Sequence, residues 1–176
     1  MAEFPGHLFK MDGDPSAIRS SAGRWSGFGS AASQAAAQIT GLDTSQFVGP
    51  EADLFREGLN AQMPGHLRVT GDAFGKVSAG LVAFAGSLSS LQDRMRPVAQ
   101  RAPGLWAALQ AARGRSDRAA QADERHEREV ADRPPEQAAS AEPDTYRSDA
   151  GAAGAALSQA QRDWDECVAQ AGALRG

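Results

Sequence analysis

The side chains that could carry out chemistry are few, and their spacing departs from the motifs they resemble. The segment HEREV begins at His126 like a zinc-binding His-Glu-x-x-His motif, but Val130 occupies the position of the second ligand. The segment GDAFGK, residues 71–76, resembles a phosphate-binding loop that has one residue too few between its glycines. We therefore predict no catalytic residue, no metal site and no cofactor, and we expect that the chain is not an enzyme.

The remaining histidines and the cysteine give no stronger indication of a reactive site. His7 and His66 lack a neighbouring cluster of cysteines or carboxylates. Cys167 is the only cysteine, so an intrachain disulfide is impossible. It falls at an apolar position of a predicted helix, which favours a small buried side chain over a reactive thiol.

Length and composition favour one helical domain. The chain has 176 residues, of which 41% are hydrophobic and 6% aromatic, and alanine supplies much of the apolar content. A sequence that is rich in alanine and poor in β-branched residues favours helices. The net charge of -4 indicates no nucleic-acid surface. Because the sequence has no apolar run of about 18 residues and no Sec-type signal peptide, we predict no membrane span.

Three segments repeat apolar or small residues at alternating spacings of three and four, which predicts three helices. The first begins at Asp14, a favourable N-cap, with Pro15 in its first turn, and it ends near Gly41. The second begins at Pro50 and is the longest. The third covers about 149–176 and returns antiparallel after a polar linker at 133–145.

Three prolines inside the second predicted helix could kink or interrupt it. Near Pro64 the apolar seam stutters, which predicts a kink. Pro97 and Pro103 lie inside the regular part of the seam. The helix therefore either continues through both prolines with a kink, or ends near Arg101 and restarts at Pro103.

The turn between the first two helices has about eight residues, so these helices must fold back on each other. Phe47 can fill the gap between the two helix ends. Gly49 has no Cβ, so it can let the chain enter the second helix and act as its N-cap. The predicted fold is all-α: an elongated antiparallel helical hairpin with a long second helix and a third returning helix, packed as a bundle or coiled coil.

This organisation divides the chain into four parts. An N-terminal extension (1–13) precedes the helical hairpin (14–112), and a charged extension and linker (113–148) leads to the returning helix (149–176). The charged part loses the apolar seam, which separates it from the helices on either side.

The turn also carries a family resemblance. The segment FVGPEADLF, which runs from Phe47 to Phe55, has an aromatic-x-Gly turn between two helices and resembles the WXG-motif (ESX) proteins of type VII secretion. Phe47 stands where those proteins have tryptophan. With the opening GDPSAIRSSAGRW and the later helices, the chain is most similar to the extended N-terminal secretion-signal domain of actinobacterial polymorphic toxins. The resemblance covers most of residues 12–175.

The resemblance implies a targeting or adaptor module of type VII secretion, either the leader domain of a toxin or its small partner. Such a chain would be secreted without a Sec signal peptide, or be cytoplasmic before export, and would contact the secretion machinery. The Tyr-x-x-x-Asp/Glu export signal of the family is not found, because Ala150 follows Tyr146 and Val168 follows Trp164 at that spacing.

Helix lengths predict where another chain would dock. At ~1.5 Å per residue, the first helix reaches along the second only to about Val77, and the third covers about 105–130. The apolar strip between them is expected to be exposed and to bind a small WXG-type helical chain or a second copy. The strip comprises Leu81, Phe84, Leu88, Leu91, Met95 and Val98, with Trp106 beside it as a further candidate anchor.

An alternative function is a structural coiled-coil scaffold or filament subunit with no role in secretion. The aromatic-x-Gly turn distinguishes the two interpretations. Changes at Phe47 and Gly49 should disturb a secretion hairpin, whereas a generic rod would tolerate them.

Overall fold

The computed structural model describes residues 3–132 and 145–176, and every regular element in these ranges is a helix. A 3-10 turn covers Gly6–Phe9. The α-helices are α1 (Pro15–Thr40), α2 (Pro50–Glu57), α3 (Met63–Ala131) and α4 (Thr145–Arg175). The predicted all-α class with bundle packing is thus confirmed. The predicted linker at 133–145 lies, apart from its last residue, outside the described residues.

The start of α1 follows from local chemistry. The Asp14 carboxylate accepts hydrogen bonds from the backbone N–H groups of Ser16 at 2.8 Å and Ala17 at 3.1 Å, while Pro15 occupies the first helical position. These contacts satisfy donors that the first turn leaves without an intrahelical partner. At the other end, the N–H of Gly41 bonds to the carbonyl of Ala37. Both ends agree with the sequence prediction.

The second predicted helix is continuous along the backbone but changes its winding. A π-helical stretch, Gly58–Gln62, joins α2 to α3 just before Pro64. Proline has no N–H and its ring crowds the preceding turn, so a locally wider helix accommodates it where the apolar seam stutters. Farther along, α3 continues through both Pro97 and Pro103, which decides between the two alternatives in favour of an unbroken helix.

The chain forms two compact units. The hairpin unit is Asp12–Leu91, and the return unit combines Met1–Met11 with Gln92–Gly176. The first residues of the chain therefore belong with its last helix, whereas the sequence suggested a separate extension at 1–13. The charged stretch after residue 113 continues α3 as far as Ala131.

Candidate interaction surface

In the hairpin unit, α1 and α3 pack against each other through small side chains. Every seventh residue on each helix is buried at the contact between α1 and α3. These residues are Ala22, Gly29 and Ala36 on α1, and Gly71, Ser78 and Ala85 on α3. With so little side chain between them, the two backbones can approach closely.

Gly29 and Gly71 mark a close approach of the two backbones. A Cβ atom added at Gly29 would lie 2.8 Å from the carbonyl oxygen of Gly71, and one added at Gly71 would lie 2.9 Å from that of Gly29. Nearby, the Ser78 hydroxyl donates a 2.8 Å hydrogen bond to the carbonyl of Ala22. This buried bond fixes the antiparallel alignment of the two helices.

Because small residues fill the contact, several aromatic residues of both helices lie to one side of it. Phe74 of α3 packs between two aromatic residues of α1, with its ring centroid 5.2 Å from that of Trp25 and 6.0 Å from that of Phe28. Even so, Trp25 remains 39% exposed and Phe28 62% exposed. Phe74 itself is half-buried, so the cluster exposes mainly the rings of Trp25 and Phe28 on a single side of the hairpin.

The same side continues along α3. Val77 and Phe84 follow Phe74 at helical spacing and are both exposed, and Leu81 between them is half-buried. We call Trp25, Phe28, Phe74, Val77 and Phe84 the aromatic face. Residues 25–42, which run from α1 into the following turn, and residues 77–92 of α3 contain no charged side chain. The aromatic face is therefore apolar and largely uncharged, which is uncommon for a surface that stays in water.

The turn between α1 and α2 presents more apolar surface, and here one prediction is wrong. Phe47 was expected to fill the gap between the helix ends, but its side chain is 61% exposed. Its ring instead packs on that of Phe55, with 5.8 Å between centroids. The turn does not need an aromatic plug, because the Arg56 guanidinium donates hydrogen bonds to the carbonyls of Thr44 and Phe47.

Gly49 performs the backbone role expected of it. Its φ of 121° lies in the region that favours glycine, and it is the N-cap residue of α2. Its carbonyl accepts from the N–H groups of Ala52 and Asp53. The turn motif is therefore a glycine cap with two exposed phenylalanines beside it.

The predicted strip on α3 divides into two parts. Phe84 is exposed, and Leu81 and Leu91 are half-buried. Leu88, Met95 and Val98 are buried within the chain itself, so the expected exposure of these three is wrong. Leu88 packs against Gly13, where an added Cβ would lie 2.7 Å from the leucine Cδ2. Binding of another chain at the exposed positions remains a prediction.

The burial of Val98 follows because α4 returns farther along α3 than the estimate from helix lengths allowed. The Cys167 thiol donates to the carbonyl of Val98 at 3.8 Å, and Arg101 donates to the side chain of Gln170. Burial raises the pKa of the Cys167 thiol, as expected for a small buried side chain rather than a reactive one.

Trp106 is a half-buried residue rather than a fully exposed anchor. Its ring centroid lies 5.0 Å from that of Trp164 on α4. Its remaining surface lines a groove of about 610 Å³ on α3, together with Ala107, Gln110, Ala111, Gly114, Arg115 and Arg118. Its role in binding another chain also remains a prediction.

The N-terminal segment is the contact that sequence reasoning missed. Phe9 is only 6% exposed, and its ring lies edge-on to that of Trp164, with 5.7 Å between centroids. Phe4 stacks on Phe9 and also contacts Trp164. The available signal was the apolar residues Phe4, Leu8 and Phe9, which stand just before a helix cap without belonging to any predicted helix.

Within residues 3–132 and 145–176, no group of three or more His, Cys, Asp or Glu side chains could hold a metal ion. One 18-residue window of α3 is apolar enough, by length and composition alone, to cross a membrane. This is a weak indication, because the core helix of a soluble protein passes the same test. Only 11% of that window is buried, which agrees with the exposed apolar side of α3.

Comparison with known proteins assigns the family. The family model described as "Putative T7SS secretion signal domain" matches residues 6–174, where T7SS denotes the type VII secretion system. No curated protein and no solved structure gives a significant match. The matched range includes the N-terminal 3-10 turn, the turn motif and helices α1 to α4 except Arg175, the last residue of α4. The role of the chain is thus associated with type VII secretion, and the chain belongs to the T7SS secretion signal domain family.

Proposed function

We propose that this chain is a targeting or adaptor module of type VII secretion, which docks another helical chain on its aromatic face and acts by binding without catalytic turnover. It would serve as the leader domain of a toxin or as the partner of one, and its binding partner would be a small WXG-type helical hairpin. The observation that carries the proposal is the cluster of Trp25, Phe28 and Phe74, in which both Trp25 and Phe28 are exposed and left uncovered by residues 3–132 and 145–176.

The composition of the hairpin supports a helical partner. Large side chains in a helix pair normally fill its own contact, but here that contact is made by Gly29, Gly71 and other small residues. The large residues instead form ridges along two neighbouring helices. Such ridges fit the grooves of a further helix pair, and the result would be a four-helix arrangement.

The absence of charge restricts the partner further. Residues 25–42 and 77–92 offer no ion pair to a partner, so affinity would come from removing apolar surface from water. The partner's matching face must therefore be apolar as well. An apolar helix face of the kind found in WXG-type hairpins meets this requirement, whereas a polyanion does not.

The turn would extend the docking surface at one end of the hairpin. Its exposed apolar residues are Leu42, Phe47, Val48, Leu54 and Phe55. In the resemblance to WXG proteins this is the position of the signature motif. We propose that Phe47 and Phe55 contact the partner or the secretion machinery directly, since both rings are exposed and already packed on each other.

Co-expression with a small helical protein encoded beside the gene tests the proposal. Phe28→Asp and Phe84→Asp should each weaken the complex about 30-fold, the effect of losing a contact worth roughly 2 kcal/mol. Val82→Asp is the matched control, because Val82 is 50% exposed on α3 but lies on the other side of the contact line with α1. Affinity is measured by titration calorimetry, and circular dichroism checks that each variant stays helical.

Two outcomes would count against the proposal. Equal weakening by Val82→Asp and Phe28→Asp would show that the aromatic face has no special role. If the chain alone sediments as a concentration-dependent oligomer that Phe28→Asp dissociates, the face joins copies of this chain, as the scaffold alternative requires. Binding of the neighbour that Phe28→Asp and Phe84→Asp weaken selectively supports the adaptor function.

A further inference from the structure

We propose that the N-terminal segment Phe4–Met11, here called the strap, is a latch that decides whether α4 stays on α3. When the strap leaves its seat, α4 separates from α3 while the hairpin unit stays folded. The device is distinct from the proposed docking of a partner, because the contacts that carry it, to Trp164, Arg175 and Gln92, lie in the return unit.

The first argument is the aromatic contact. Phe9 is the most buried residue of the strap, and Phe4 and Phe9 both lie edge-on to the indole of Trp164. Trp164 is 7% exposed and also contacts Trp106 of α3. One indole is therefore held jointly by the strap and by α3, so removing the strap would open one side of its pocket to water.

The second argument is the polar contact. The Arg175 guanidinium at the end of α4 donates hydrogen bonds to the carbonyls of His7 and Lys10, the latter at 2.8 Å. Gln92 of α3 donates to the carbonyl of Met11 at 3.3 Å. The strap is thus hydrogen-bonded to both helices that it holds together, and bonds from a charged donor are the stronger kind.

The third argument is the distribution of burial along α4. The buried residues of this helix are Trp164, Cys167, Ala171 and Leu174, all in its final part. Residues 145–163 are half-buried or exposed. Because the strap sits on the part that supplies the buried residues of α4, its release removes the main hold on the helix.

The hairpin unit is stabilised by contacts of its own between α1 and α3. The Ser78–Ala22 hydrogen bond and the close approach of Gly29 to Gly71 involve no residue of the strap. The strap ends at Met11, and the hairpin unit begins at Asp12. Opening of the strap therefore leaves these hairpin contacts in place.

Cys167 provides the measurement on the full chain. It is the only cysteine, it is 2% exposed, and its thiol faces the Val98 carbonyl, so a thiol reagent reaches it only when α4 lifts from α3. Phe9→Ala should accelerate labelling on the order of 100-fold, since it truncates a buried aromatic residue. Arg175→Gln should accelerate it about tenfold without leaving a cavity. Val82→Ala, which truncates an exposed valine of the hairpin unit outside the aromatic face, should leave the rate unchanged.

Amide hydrogen exchange of α1 in the same variants completes the test. Unchanged protection of α1, with faster labelling of Cys167, supports the latch. If neither Phe9→Ala nor Arg175→Gln accelerates labelling, the strap does not control α4. If labelling accelerates only together with loss of protection in α1, the whole chain opens as one unit and the latch is refuted. Should Phe9→Ala fail to fold, Arg175→Gln decides on the same criteria.

Discussion

The hairpin unit and the return unit share one helix, α3, yet they pack it in opposite ways. In the hairpin unit the residues of α3 that meet α1 are small, and Phe74 and Phe84 are left to the side. In the return unit the buried residues of α3 include large ones as well as alanines, with Leu109 fully buried and Met95 2% exposed. An apolar seam on one helix therefore does not determine by itself which of its residues are buried. The residues that face the seam decide which part of it is covered.

The physical consequence of the two packings is different. A contact made by glycine and alanine brings backbones together but buries little apolar side-chain area, so it depends on shape. A contact made by Trp164, Leu109 and Phe9 removes much more apolar area from water. We therefore expect that enlarging a side chain at the hairpin contact lowers the stability of the hairpin unit. Truncating a buried side chain should instead lower the stability of the return unit.

The largest expected effect is the removal of Trp164. Trp164→Ala should lower the free energy of unfolding by about 3–5 kcal/mol, because the indole contacts Phe4, Phe9 and Trp106 together. Denaturant-induced unfolding followed by circular dichroism measures this. A loss of less than about 1 kcal/mol would contradict the assignment of Trp164 to the core of the return unit.

The addition of one methyl group to the hairpin contact should be next in size. Gly29→Ala places a Cβ atom 2.8 Å from the carbonyl oxygen of Gly71, so the backbones must separate, at a cost of about 1–3 kcal/mol. Gly75→Ala is the matched control, since its Cβ would meet nothing within 4 Å. The control should stabilise α3 by roughly 0.5–1 kcal/mol through helix propensity. Opposite signs in urea unfolding are expected, and equal signs would refute the close contact.

Truncation of a large residue of the hairpin unit tests whether the loss of a side chain costs less stability there than in the return unit. Phe28→Ala should change the free energy of unfolding by less than about 1 kcal/mol, although a buried phenylalanine typically costs 3–5 kcal/mol. The reason is that Phe28 is already 62% exposed. The same urea titration measures it. A cost as large as that of Trp164→Ala would mean that the aromatic face belongs to the core.

The smallest expected effect is the pH response of the cap of α1. Hydrogen bonds from the Ser16 hydroxyl and from the backbone of Ala17 and Ser16 lower the pKa of Asp14 below its ordinary value of 3.8. A lowered pKa means that the ionised carboxylate stabilises the fold, so this stabilisation is present above pH 3.8 and is lost as the pH falls through the folded-state pKa. Asp14→Asn should remove this pH dependence while keeping an acceptor. Amide exchange of Ser16 and Ala17 across this pH range measures it.

Much of the fold could be predicted from the sequence because its signals are local. Asp14 and Pro15 start α1, Gly49 caps α2, and the alternating spacing of apolar residues identifies the helices. The stutter before Pro64 corresponds to a π-helical stretch. Continuity through Pro97 could not be decided, because the cost of an interior proline competes with packing of the rest of the helix.

The candidate surface was harder to predict because it depends on what covers each residue. Val98 belongs to the same seam as Phe84, and the sequence does not show that α4 reaches it. The spacing of the apolar residues also did not indicate that small residues such as Gly71 and Ser78 form the contact between α1 and α3. Because small residues form this contact, the aromatic residues lie beside it. The strap was not predicted because its 3-10 turn has only four residues, which are too few to show a repeating spacing of apolar residues.

The lack of charge along residues 25–42 and 77–92 has a consequence for how docking would respond to its surroundings. With no ion pairs to screen, a complex formed there keeps its strength as ionic strength rises. It weakens on cooling and forms with a negative heat-capacity change, because its stability comes from water released from aromatic rings. Raised salt would therefore preserve such a complex during purification, and a cold room would favour its dissociation.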